Sequence, residues 1–278
     1  MAYKAILVHV PLANARTQVE LAARLAKAFG ARLTGICSLT ETAMLRSAVQ
    51  NPFIRLEAEK VEGLIEQETA EASAAEKTFD AIAAEVGVPH SWLTGEGDAA
   101  DLIIHAARLQ DLAVVEQCQD PSDLLWGPAV QIALSGYPAL IVPRDWASSA
   151  FGKRAVIAWN GSAQAAAAVR KALPLLQRAE HVSVLVGQSR AAFPASMRTV
   201  PLDVVAYLRH HGVDAEIGES DTPDEDAGAA ILKAASAGKA DLIVMGAFGH
   251  SRFREWVLGG ATRHVLEHMT VPIFMAHQ

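Results

Sequence analysis

The sequence predicts an α/β fold of two tandem doubly wound, Rossmann-like domains, each on a parallel sheet of five strands. Three observations carry this. Short Val/Ile/Leu-rich runs alternate with helical stretches, the whole series occurs twice, and the runs are apolar almost continuously. Strands separated by helices need right-handed crossovers, and so pair in parallel. Continuous apolar strands suit a sheet covered by helices on both faces. A chain of 278 residues has room for two domains of ~100–200 residues each.

The first half opens with a strand over 4–9 (Lys-Ala-Ile-Leu-Val-His). A helix over about 16–29 follows, closed by Gly30, then a strand over 32–37. The second half repeats this order with a strand over 154–159, a helix over about 163–178 and a strand over 181–186, at an offset of 150. Gly87-Val88 answers Gly212-Val213, each entering a strand; residues 111–115 answer 241–245, and 137–142 answer 271–276. The changing offset marks insertions between shared elements. A linker near 144–153 then separates domains at 1–147 and 152–278. The halves differ most at 54–86, an acidic Ala/Glu-rich stretch with an apolar stripe of Phe79, Ile82 and Val86. It reads as a long helix, either solvated along most of its surface or used to bind a partner.

Composition excludes several functions. The net charge is −7, which gives no electrostatic reason for nucleic-acid binding. No run of 18 apolar residues occurs and the N-terminal apolar run is too short for a secretory signal, so the expectation is a cytoplasmic protein without membrane contact. Cys37 and Cys118 form neither a disulfide framework nor a zinc pattern; both follow strands, and are read as inert small residues or as a redox-responsive pair.

In doubly wound sheets ligands sit beyond the carboxyl ends of the strands. After the strand 242–245 comes Gly246-Ala-Phe-Gly249-His250-Ser251, and then Gly259-Gly260-Ala261-Thr262 opens a helix. Glycines here let the backbone turn and approach a ligand, and the helix start offers free N–H groups to an anion such as phosphate. His250, Arg252, Arg254 and Arg263 add positive charge. Side chains in place of Gly246 or Gly259 are expected to obstruct phosphate. The plainer alternative is a turn followed by a helix break.

This run resembles the universal stress protein family, whose ATP-binding members carry Gly-x-x-Gly, nine residues, then Gly-Ser or Gly-Thr. Gly246, Gly249 and Gly259 fall in those places, and both halves follow the family's β/α order. The resemblance implies strand order 3-2-1-4-5 in each domain, and antiparallel pairing of the last strands, residues 140–142 with 273–275. It also implies an adenine nucleotide site at Asn160, Gly187, Met245, Gly246, Gly249, His250, Gly259, Gly260, Ala261 and Thr262. ATP is the first candidate, AMP or ADP the alternatives, with Mg as a companion ion. Gly260 replaces the usual hydroxyl residue, with Thr262 a partial substitute, and Asn160 replaces the usual Asp.

The first half lacks the loop: Glu116-Gln-Cys-Gln-Asp-Pro-Ser-Asp123 brings three carboxylates toward any phosphate, and His9-Val10 stands for Trp159-Asn160. That half reads as a degenerate partner domain. His264-Val-Leu-Glu267-His268 matches an inverted zinc-protease string, but too little chain follows for a third ligand. The expected function is a nucleotide-binding stress-response protein, paired between its halves or as a homodimer. The alternatives are slow ATP hydrolysis or self-phosphorylation at Ser251 or Thr262, and a nucleotide-free interaction protein.

Overall fold

The computed structural model describes residues 2–13, 16–51, 53–54, 57–118, 127–147, 150–187, 202–218, 227–247 and 260–277. Of these, residues 2–118 and 127–132 form one compact unit, and those from 133 onward form another.

The first unit runs β1 (Ala5–His9), α1 (Arg16–Phe29), β2 (Arg32–Leu39), α2 (Thr40–Val49), α3 (Ala58–Val86), β3 (His90–Glu96), α4 (Ala99–Ala107) and β4 (Leu112–Glu116). Its strands lie in the order β3-β2-β1-β4, and the register pairs Val8 with Gly35 on one side and with Val114 on the other. All these pairings are parallel. Helix α1 ends where Gly30 takes φ 60°, and Ala31 N–H donates to Ala26 O at 2.8 Å. Helix α3 buries Ala72, Ala75, Phe79 and Ile82, and Phe79 packs on Trp92 of β3 with ring centroids 5.3 Å apart. The stripe read from the sequence is therefore a packing face.

Helix α5 (Pro128–Leu134) leads to β5 (Ala139–Val142), which falls in the second unit. That unit continues β6 (Arg154–Trp159), α6 (Ala163–Leu176), β7 (His181–Val186), α7 (Val204–His210), β8 (Ala215–Ile217), α8 (Ala227–Ala237), β9 (Leu242–Gly246), α9 (Gly260–His268) and β10 (Ile273–Ala276). Its strand order is β8-β7-β6-β9-β10-β5. Here the expectation of five strands per domain needs correction: four strands lie in the first unit and six in the second. The cause is β5, which pairs antiparallel with β10, Ile141 opposite Ile273 and Leu140 opposite Phe274. That antiparallel pair lies where the resemblance implied. Lys171 of α6 reinforces it, donating to the carbonyls of Gly136 at 2.5 Å and His277 at 3.3 Å, just outside the two strands.

One device occurs in both units. Asp111, at the entrance to β4, accepts from the backbone N–H of Lys4 at 2.6 Å and of Ala5 at 3.0 Å. Asp241, at the entrance to β9, accepts from Lys153 at 3.1 Å and Arg154 at 2.9 Å. Each carboxylate satisfies the first donors of the neighbouring central strand, which would otherwise lack ladder partners.

Candidate functional site

The second unit has its topological switch at β6. The chain leaves β6 through α6 toward β7 on one side, and β9 lies on the other. Trp159 is in register with Val186, and Ala158 with Met245. The carboxyl ends of β6, β7 and β9 are thus neighbours, separated by ~5 Å steps. They present Asn160, Gly187 and Gly246, and a crevice at such a point is where doubly wound sheets hold ligands.

Each position has a local cause. Asn160 is exposed and its Oδ1 accepts from Ser162 N–H at 3.0 Å, closing a turn at Gly161, which takes φ 73°. With Oδ1 so engaged, Nδ2 is left as a donor. Ser162 then caps α6, its Oγ accepting from Ala165 N–H at 3.1 Å. Gly187 is exposed, and its N–H donates to Trp159 O at 2.8 Å, continuing the ladder to the edge of the crevice. Met245 is buried in the β9 core, between Ala158 and Met275, and so shapes the site from beneath.

Gly246 is glycine for a reason the sequence did not show. A Cβ there would lie 2.6 Å from both the backbone N of Ala165 and the carbonyl carbon of Gln164. The end of β9 is pressed onto the first turn of α6, so a side chain at Gly246 displaces backbone before it meets any ligand. Gly260 differs: it is exposed, opens α9, and a Cβ there meets nothing within 4 Å. Ala261 is half-buried and Thr262 is buried, 4% exposed. Gly249, His250, Gly259 and Ser251 lie outside the described residues.

Sequence reasoning passed over Ser162 and Gln164. Gln164 Oε1 is buried, beside Gly246, and has no hydrogen-bond partner among the described residues. The signal for Ser162 was available, a serine just before an Ala-rich helical run. Nothing local marked Gln164.

The other candidates resolve differently. His264 and His268 stack with ring centroids 4.4 Å apart, His268 Nδ1 contacts His264 O at 2.9 Å, and Glu267 accepts from Arg263 Nε at 2.7 Å. The described residues hold no cluster of three metal-ligating side chains. Cys37 is buried, and its thiol is pushed up to about 11, by burial first and then by the Glu68 carboxylate, which makes it a poor nucleophile. At the corresponding strand end in the first unit, burial pushes His9 down to about 4, so that the imidazole is neutral at pH 7.

Comparison with known proteins now bears on the second unit directly. The sequence model of the universal stress protein family matches residues 152–277. The second half of the chain is a universal stress protein domain. The fold likeness extends further. The crystal structure of a universal stress protein from Archaeoglobus fulgidus DSM 4304 superposes with a TM-score of 0.71 at 15% identity, covering 98% of this chain and 96% of that one. A functionally unknown protein from Pseudomonas aeruginosa PAO1 gives a TM-score of 0.53 at 12% identity, covering 98% and 92%. At these identities the likeness is one of fold. No curated protein matches the sequence. Among the described residues no helix is long and apolar enough to cross a membrane.

Proposed function

We propose that the universal stress protein domain binds an adenine nucleotide, with ATP and its Mg²⁺ ion the preferred form. The observation that carries this is the convergence of exposed Asn160, exposed Gly187 and the unobstructed start of α9 at Gly260 on one edge of the sheet. The Gly187 backbone offers an edge for the base, and Asn160 Nδ2 a donor for a ribose hydroxyl. The backbone N–H groups of Gly260 and Ala261, at the positive end of α9, suit phosphate. When bound, Mg²⁺ neutralises part of the phosphate charge. The chain's own part is to bind and orient the nucleotide. This reading includes a tandem arrangement in which a degenerate first domain, 1–147, accompanies the binding domain, 152–278. The first half supports that division, since it sets His9-Val10 and the acidic run from Glu116 where the second half has Trp159-Asn160 and the glycine loop.

Mass spectrometry of small molecules released from the purified, denatured chain tests the proposal. Recovery of adenine nucleotide, together with a rise in melting temperature on adding ATP, is the expected result. A chain that releases none and whose melting is unmoved by saturating ATP, ADP or AMP would leave the domain a nucleotide-free interaction module.

A further inference from the structure

Strand β3 closes the sheet of the first unit on one side: it pairs with β2, and among the described residues no strand lies beyond it. It is long for an edge, seven residues, whereas β8, the outermost strand of the second unit, has three. Sheets blunt their edges with short strands, prolines, bulges or lysines, because unpaired N–H and C=O groups invite another strand. From His90 to Glu96 there is no proline and no lysine, and the register with β2 runs from Leu33–His90 to Leu39–Glu96 without a bulge.

The ladder says which groups are unpaired. Leu33 N–H donates to Pro89 O at 2.9 Å, and Gly97 N–H donates to Leu39 O at 3.4 Å. Backbone groups alternate in direction along a strand, so Ser91, Leu93 and Gly95 turn theirs to β2, and His90, Trp92, Thr94 and Glu96 turn theirs outward. Arg32 occupies one outward acceptor, Nη2 donating to His90 O at 3.2 Å. Trp92, Thr94 and Glu96 keep both groups for a further strand.

This edge is complementary to itself. About a two-fold axis at Leu93, a second copy of β3 lies antiparallel, with Trp92 opposite Thr94 and His90 opposite Glu96 of the partner copy. Outward groups then meet outward groups, as antiparallel hydrogen-bonded pairs require. Leu93, 44% exposed, meets its own counterpart in the closer, non-hydrogen-bonded pair. Charge agrees with this register. Arg32 and His90 stand at one end of the strand, and the Glu96 carboxylate, 3.1 Å from Arg46, stands at the other. The two-fold turn brings each end against its opposite. A register moved by one position would set outward groups against inward-turned ones, and one moved by two would part His90 from Glu96. We infer that two copies of the chain associate through β3, joining their first-unit sheets edge to edge. One seven-residue strand from each copy buries less than the about 1,600 Å² of a standard interface, so the dimer is weak and reversible. Nucleotide plays no part in it.

Sedimentation of the whole chain tests this. The wild type should show a monomer–dimer equilibrium that shifts with concentration. Leu93→Lys and Leu93→Glu each set like charges opposite one another at the axis, and each should weaken dimerisation by roughly tenfold. An equal mixture of the two variants sets Lys against Glu and should restore the dimer, as one copy of each. Restoration also shows that both variants are folded. Leu109→Ser, at an 87% exposed leucine elsewhere in the same unit, should dimerise as the wild type does. A wild type that stays monomeric at every concentration would overturn the inference, leaving the edge to an extended segment of another protein. So would a dimer that neither Leu93 variant weakens, or a mixture no more dimeric than its components.

Discussion

At the scale of single residues, Asn160 and Gly260 carry the nucleotide reading, and both depart from the family pattern that the sequence resembles. The structure gives each departure a physical meaning. Asn160 spends its oxygen on Ser162 N–H at 3.0 Å, so it meets the crevice as a donor where an aspartate would accept. Gly260 leaves open space where a hydroxyl would stand. Gly260→Ser should therefore fit without displacement and add one hydrogen bond to phosphate. A hydrogen bond to a charged group contributes ~1.5–3 kcal/mol, and ~1.4 kcal/mol corresponds to tenfold. A competition titration should show ATP binding roughly tenfold tighter in Gly260→Ser and little changed in Gly260→Ala. Gly246→Val is a poor probe by contrast, because its Cβ strikes α6 backbone at 2.6 Å. Spacing in the sequence singled out Gly246 but could not distinguish a phosphate contact from a helix contact, since both need the same missing side chain. His9 gives a second residue-scale prediction. Its pKa is about 4 in the folded chain against 6.5 for the free group, so the unfolded chain takes up a proton that the native chain resists. Stability should fall as pH drops from about 6.5 to about 4, by roughly 1–3 kcal/mol from this group. Urea melts of His9→Gln across that range should show a flatter pH dependence than wild type. Equal slopes would assign the acid sensitivity to other groups.

At the scale of elements, legibility follows burial. Helices α1, α6 and α9 and the central strands bury apolar residues at regular spacing, and the sequence pattern places them within a few residues. Helix α2 escaped notice because nearly all of it is solvated: with Thr42 alone buried it has no stripe, and it is held instead by the buried Glu68 carboxylate at its first turn. A long-range cap of this kind leaves no local mark. The start of α3 at Ala58 likewise falls later than the acidic composition from residue 54 suggested. The capped start of α6 bears directly on the site, because Ser162 fixes the turn that aims Asn160. Ser162→Ala should cost about 1 kcal/mol of stability, as for other N-cap serines, measured by chemical denaturation. Ser162→Asp, which keeps an acceptor, should restore most of it.

At the scale of the whole molecule, the repeat of strands and helices was readable, whereas the allotment of strands was not. The run Ala-Leu-Ile-Val at β5 has the same local character whichever sheet it joins. Its placement beside β10 rests on pairing between residues far apart in sequence. The consequence is testable with fragments. A fragment from residue 133 to 278 keeps β5 against β10 and should self-associate less than one that lacks β5. A fragment from 152 to 278 exposes the fully buried edge of Ile273, Phe274 and Met275 and should self-associate. Sedimentation of the two separates the outcomes, and a monomeric shorter fragment would show that β5 is dispensable. The most direct test of the central claim is a calorimetric titration of the whole chain with Mg-ATP. The account predicts saturable heat with one site per chain, and a steeper isotherm for Gly260→Ser. Two equivalent sites per chain, or no heat from ATP, ADP or AMP with either wild type or Gly260→Ser, would contradict it.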